Sequence, residues 1–334
     1  MRPPTSLPAL GAAALMLAAC ATPTGLAKSV LRGDIFESDS YIVAFARPGD
    51  DARRLAARFL GDATRAWMIE EYNGRRTFAW GQKVVIPKHP RNPAGVYATG
   101  YQLVPVLVYH HIGPRAQGRL GLAASTFRQQ MRYLKAHGYR TVSLEHLIEF
   151  TQLRRQLPRR SVALTFDDGY KSFLGYAYPV LKELGFTATL FVYTDYVGVG
   201  RNALSWDDLR RLADEGFGLG AHSKTHSELR RRSSESPQAY ARRIHTELTA
   251  PRDLFQARLG RTPRALAYPY GAHDDEVIRK VRDDGYVAAL SVRREGNPSF
   301  VHPLRIRRSQ IFADMTLEEF ARNLTVFHAE PLVR

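Results

Sequence analysis

The sequence predicts an α/β fold: repeated strand–helix units building a parallel sheet, closed into a barrel of about seven strands, behind a small βααβ domain. Three observations point there. From Val104 onward, short apolar runs alternate with amphipathic stretches of helical period. Several runs stop abruptly at carboxylates or histidines, as strands do where a parallel sheet presents its working edge. The 334 residues, 44% of them hydrophobic, can bury one large core plus an accessory unit. The formal charge of +16 suits a polyanionic neighbour: nucleic acid, an anionic membrane surface or an anionic wall polymer. The chain shows no zinc-finger spacing, helix-turn-helix signal or aromatic-plus-glycine RNA motif, which argues against nucleic acid.

Taken in order, residues 1–20 read as a secretory signal. Arg2 precedes an apolar run from Leu7 to Ala19 that is too short for a permanent span. Leu17-Ala18-Ala19-Cys20 resembles a bacterial lipoprotein signal, which implies a lipidated Cys20 and a membrane-tethered protein of the cell envelope, facing the periplasm or the exterior. Cys20 is the only cysteine, so internal disulfides and thiolate metal sites are excluded. Residues 21–40 are small and polar and read as a tether.

Residues 41–88 form the accessory unit. Tyr41–Phe45 is a strand, Asp51–Leu60 and Thr64–Tyr72 are helices, Asn73-Gly74 ends the second, and Gly81–Pro87 returns as a strand. The order, with Gly49-Asp50, Asn73 and Gly81-Gln82…Ile86-Pro87, resembles the LysM module, which implies binding of N-acetylglucosamine-containing chains. A purely structural cap on the next domain is the plainer alternative. Residues 89–101, with Pro90, Pro93, Gly95 and Gly100, read as a linker.

The main domain spans 102–334. Val104–Tyr109 is a strand ending in His110-His111. Ser125–His137 is a helix capped by Ser125 and stopped by Gly138. Val162–Phe166 is a strand apolar on both faces, ending in Asp167-Asp168-Gly169. Tyr170–Leu184 is a helix and Thr187–Tyr193 a strand; helix Trp206–Glu215 and strand Phe217–Ala221 follow, then a long helix, Pro237–Leu259. Strand Ala265–Tyr268, helix Asp274–Asp284, strands Val287–Val292 and Leu304–Ile306, and helix Leu317–Leu324 complete the set.

Three clusters gather at strand ends. Asp167 and Asp168 are like charges side by side, an arrangement that raises at least one pKa and that a cation relieves. His222-Ser-Lys-Thr-His226 supplies two imidazoles at i, i+4, which reach one ion if the loop makes a helical turn. Tyr268-Pro-Tyr-Gly271 is the third. Two imidazoles and a carboxylate leave open positions, as catalytic zinc sites do, and the set also suits cobalt or nickel.

In order and spacing, Thr165-Phe-Asp-Asp-Gly169, His222-Ser-Lys-Thr-His226 and Tyr268-Pro-Tyr-Gly271 resemble the motifs of the polysaccharide deacetylases, carbohydrate esterase family four. The resemblance implies a distorted (β/α)7 barrel that removes acetyl groups from glycans with one divalent metal, Zn2+ by default. It implies Asp168, His222 and His226 as metal ligands, Asp167 as the general base for the attacking water, and the Tyr270 backbone N–H as a donor to the oxyanion. Two positions depart from the family pattern: Ala267 stands where an arginine orients the base, and the late histidine acid is missing from Leu304-Arg-Ile-Arg-Arg308. Both departures resemble the poly-N-acetylglucosamine deacetylase branch, which implies a general acid at the end of the first strand. His110 is the first choice and His111 the second, since alternation would point them to opposite sides. Arg308 either replaces the missing arginine or is a solvated strand-end side chain. The implied substrates are peptidoglycan or poly-N-acetylglucosamine; an O-acetyl polysaccharide esterase or an inactive glycan-binding wall lipoprotein are the alternatives.

Overall fold

The structure is a computed structural model that describes residues 35–331. The signal segment with Cys20 and most of the tether lie outside the described residues. No helix among the described residues is long and apolar enough to cross a membrane. The chain divides into two compact units, Met1–His89 and Pro90–Arg334.

In the first unit, Tyr41–Phe45 pairs antiparallel with Lys83–Pro87, and helices Ala52–Leu60 and Ala66–Asn73 lie between them in sequence. The expected βααβ order therefore holds. Asp51 caps the first helix by accepting from the Arg54 N–H, and Gly61 and Gly74 end the two helices in left-handed backbone. Asn73 pins helix to strand: its amide donates to the Ile69 and Val85 carbonyls at 2.8 and 2.7 Å and accepts from the Val85 N–H. Ile42, Leu55, Ile69, Val84 and Ile86 form the buried centre. The expected tether is shorter than 21–40, because Ile35–Glu37 adds a strand against Tyr41–Phe45.

In the second unit, parallel strands lie in the order Ala288–Leu290, Ala265–Ala267, Gly218–Ala221, Thr189–Val192, Ser161–Phe166, Val106–Tyr109 and Ser309–Gln310. Consecutive residues of Val106–Tyr109, Ser161–Phe166 and Thr189–Val192 are buried, so both faces of these strands are covered, as their unbroken apolar runs require. The sheet curls until its edges share one segment. Ile306 bonds to the Ala288–Leu290 edge, donating to the Ala289 carbonyl at 2.9 Å, and three residues later Ser309 pairs with Leu107 on the other edge. Gly220 permits the curl at one point: a Cβ there would lie 2.3 Å from the Phe191 ring.

Four local expectations are corrected. Ser125 does not cap its helix, which starts one residue earlier at Ala124 without a side-chain cap. Leu304–Ile306 is not a strand: Pro303–Arg305 is a 3-10 turn, with Pro303 at its first position and the His302 ring accepting from the Leu304 N–H, and the pairing falls on Ser309–Gln310. The 89–101 stretch is not a free linker throughout. Val96–Tyr97 and Gly100–Gln102 form a sheet with Phe327–Ala329, a partner too distant in sequence for local pattern to reveal. Finally, Tyr170–Leu184 is regular only in its second half; Phe173–Ala177 is wound as a π-helix.

Phe127 is fully buried and packs edge-on against Tyr109 and Phe166 at 5.2 and 5.8 Å, joining its helix to two neighbouring strands. Phe127→Ala should cost about 3–5 kcal/mol in a denaturant titration, from lost transfer energy and a residual cavity. Ser125→Ala should stay within about 0.5 kcal/mol, well short of the loss expected of a true cap.

Candidate active site

The Ser161–Phe166 strand carries its chain into the carboxyl edge of the sheet, where Asp167 is buried and its N–H donates to the Tyr109 carbonyl at 2.9 Å. A buried carboxylate needs a partner. Arg308 supplies it: Nη1 and Nη2 donate to Oδ1 and Oδ2 at 2.7 and 2.8 Å, and Nε donates to the Ser291 carbonyl at 2.9 Å. Arg308 is itself 0% exposed, so the solvated alternative is wrong and the side chain occupies the role left open by Ala267. Its position just before the last sheet pairing, Ser309 against Leu107, brings it across the barrel to Asp167. Burial acts to raise the Asp167 pKa, but the Arg308 charge, His222 and the Arg308 hydrogen bonds outweigh it and hold the group down at about 2.

Asp168 has the opposite environment. Burial and the adjacent Asp167 charge push it up to about 6. Its backbone is left-handed at φ 73°, unusual for a residue with a Cβ, and Gly169 continues at φ 84°. The turn aims Asp168 away from Arg308 and towards the two histidines.

His222 follows the Gly218–Ala221 strand and is buried. Its Nδ1 lies 2.7 Å from the Ala267 carbonyl; that acceptor holds the proton on Nδ1 and leaves the Nε2 lone pair free. Burial comes first in pulling the imidazole down to about 4, against the raising effect of Asp167, so it is neutral near pH 7. His226 is brought back by a loop that is not the expected helical turn. Ser223 and His226 adopt φ of 67° and 62°, and the Ser223 hydroxyl accepts from the His226 N–H at 3.0 Å.

The clamp on this loop is Glu247, buried in the middle of the Pro237–Leu259 helix. Its carboxylate accepts from the Lys224 and Thr225 N–H groups at 3.0 and 2.9 Å and from the Thr225 hydroxyl at 2.6 Å. Its carbonyl is available as well, because Pro251 stands four residues on and has no N–H to return; the Lys224 N–H takes that acceptor at 3.1 Å. Sequence reading missed Glu247. Its signal is a carboxylate inside the apolar stripe Tyr240, Ile244, Leu248, Phe255, where a solvated acid does not belong.

The outcome is a cluster in which ligand atoms of Asp168, His222 and His226 all lie within 4.8 Å of one another. Asp168 Oδ1 faces both Nε2 atoms, at 3.6 Å from His222 and 3.4 Å from His226, and it is buried with no hydrogen-bond partner. An orphaned buried oxygen beside two imidazole Nε2 atoms fits a divalent cation, and two nitrogens with one oxygen suit zinc, cobalt or nickel.

The remaining candidates surround this cluster. Tyr270 sits at φ 60° in the turn after Ala265–Ala267, with its ring 4.8 Å from that of His226. His110 and His111 both line one cleft with Asp168 and Tyr170, contrary to the expected alternation. Pairing ends at Tyr109, so the two histidines lie in a turn where strand geometry no longer applies. Both Nδ1 atoms are buried without a partner. His110 lies near enough to Asp167 and Asp168 to act on both, whereas the His111 ring stands edge-on to Tyr170 at 5.6 Å.

Residues 154–289 match the polysaccharide deacetylase family, a span that includes Asp167, Asp168, His222, His226 and Tyr270 but not His110 or Arg308. The poly-beta-1,6-N-acetyl-D-glucosamine N-deacetylase of Staphylococcus epidermidis is 27% identical over 56% of this chain and 67% of its own length. That of Staphylococcus aureus is 24% identical over 52% of this chain and 62% of its own. The chain thus spans about three fifths to two thirds of these curated relatives. Among solved structures, IcaB from Ammonifex degensii superposes with a TM-score of 0.60 at 25% identity, covering 68% of this chain and 99% of that one. The Streptococcus pyogenes deacetylase PplD in complex with acetate has the same fold, with a TM-score of 0.61 at 24% identity over 68% of this chain and all of that chain. The curled parallel sheet presents this cluster at its carboxyl edge, within the segment that matches the polysaccharide deacetylase family.

Proposed function

We propose that the chain is a metal-dependent deacetylase that hydrolyses N-acetyl groups of N-acetylglucosamine-containing envelope glycans, with peptidoglycan and poly-N-acetylglucosamine as the two candidates. The observation that carries this reading is the Asp168–His222–His226 cluster set against a buried, ionised Asp167. Bound there, a divalent cation supplies Lewis-acid polarisation of the acetyl carbonyl and lowers the pKa of the attacking water. Asp167 is fixed by Arg308 and already charged, so it accepts the water's proton without having to lose one first. The Tyr270 N–H donates to the developing oxyanion. His110, which lines the cleft with Asp168 and lies near both carboxylates, returns a proton to the departing sugar amine.

The first unit serves in this reading as a LysM-like module that holds the same glycan; its βααβ order and the exposed Trp80 support that role. Cys20, lipidated, tethers the protein to a membrane of the envelope.

Acetate release from N-acetylated glycan tests the activity. It should stop with chelator and return with zinc, cobalt or nickel; no release under any metal would refute the proposal. Asp167→Asn should lower turnover by at least about a hundredfold while bound metal stays at the wild-type level. Loss of the metal as well would make Asp167 a ligand. Arg308→Met leaves the Asp167 charge buried and unpaired, so a thermal or denaturant melt should show a loss of about 3–5 kcal/mol. For the tether, Cys20→Ser should move the intact protein from the membrane to the soluble fraction; continued membrane retention would contradict lipidation.

A further inference from the structure

Next to the catalytic cleft lies a second charged cluster that the deacetylation chemistry does not use. Arg119 and Arg294 converge on a single ring, Phe312, with guanidinium carbons 3.9 and 5.7 Å from its centroid. Among the described residues, neither guanidinium has a carboxylate within ion-pair distance. Arg294 is held on neutral acceptors: it donates to the Gln310 carbonyl at 2.8 Å and to the Asn323 side-chain oxygen. Burial, and after it the neighbouring Arg119 charge, brings Arg294 below its ordinary value.

The other charges of this cleft, about 370 Å³ in volume, are accounted for. Arg322 pairs with Glu318 and Glu319, and Glu319 is also engaged in capping its own helix at Thr316. Asp314 is an exposed carboxylate on the rim. The three arginines and three carboxylates balance in number; among the described residues Arg119 and Arg294 are the guanidiniums of this cleft without an ion pair, donors that a ligand carboxylate would complement.

The cleft also adjoins the catalytic one. Leu120 and Gly121, the residues after Arg119, line the cleft that holds His110, His111 and Asp168. With consecutive Cα atoms about 3.8 Å apart, the Arg119 backbone lies within about 8 Å of Gly121. On the other side, Arg294 is anchored to Gln310, two residues beyond Arg308. The two clefts are thus joined in the chain by the segment 119–121.

We infer that Arg119 and Arg294, braced on Phe312, form a subsite for a carboxylate carried on the glycan, so that the substrate is an acidic acetylated glycan and not a neutral one. This rests on the deacetylase reading above, and binding is therefore measured separately from turnover. The probes are a neutral tetramer of N-acetylglucosamine and a tetramer alternating N-acetylglucosamine with N-acetylmuramic acid, titrated into the full chain with chelator present. The acidic tetramer should bind about tenfold more tightly at low salt, and the difference should shrink as salt rises. Arg119→Gln/Arg294→Gln should bring the two affinities together, whereas Arg119→Lys/Arg294→Lys, which keeps the charge, should preserve most of the difference. Equal wild-type affinities, a difference that survives the Gln pair, or one lost as fully in the Lys pair would each overturn the inference. Acetate release is read in parallel with metal restored. If neither tetramer is deacetylated although the charge-dependent difference in binding is present, the activity reading fails and the subsite stands.

Discussion

The buried pair of Asp167 and Arg308 is the interaction on which the rest of the site depends. Two adjacent carboxylates at the end of a buried strand repel each other, and no arrangement of the strand alone can relieve that. Here the two are given different surroundings. Asp167 takes both guanidinium nitrogens and is locked as an anion; Asp168, denied any protein hydrogen bond at Oδ1, is left facing two imidazole nitrogens. The different surroundings of the two carboxylates follow from where Arg308 sits. A buried ion pair is weak as a stabiliser, since both groups lose their hydration. Its value here is orientation: the fork allows the carboxylate one plane, and the neighbouring residue is turned away from it.

The same division of labour recurs around the cluster. Asp168, Ser223, His226 and Tyr270 all occupy left-handed backbone without being glycine, four of the five such residues among those described. The loop that carries Ser223 and His226 is held from outside its own turn. Glu247 gathers the histidine loop with side chain and carbonyl, and the Ala267 carbonyl sets the tautomer of His222. Conformational strain at the site is thus borne by long-range packing, the helix Pro237–Leu259 above all.

Much of this was legible in the sequence. The β–α alternation, the strand ends and the Asp-Asp, His-x-x-x-His and Tyr-Pro-Tyr-Gly clusters are local patterns, and the structure brings them to one edge. The misses are non-local. Arg308 is 141 residues from Asp167, and nothing near it in sequence separates a buried arginine from a solvated one. Ser125 has the right chemistry for a cap but lies one residue inside its helix, a discrepancy within the usual blur of helix ends. His110 and His111 were assigned opposite faces by strand geometry that stops one residue too early for them. The sheet of Val96–Tyr97, Gly100–Gln102 and Phe327–Ala329 joins segments more than two hundred residues apart, and Pro and Gly around the first two read locally as linker.

The long span between Asp167 and Arg308 also bears on how the chain folds. The segment that carries Arg308 joins the two edges of the sheet, so the pair forms only when the curl closes, after the costliest loop has been brought together. Until then Asp167 and Asp168 are two adjacent carboxylates on an open strand end, without the guanidinium that separates their surroundings. The buried pair thus depends on closure of the curl: a chain cut before Arg308 retains all three motifs yet lacks the guanidinium that fixes Asp167.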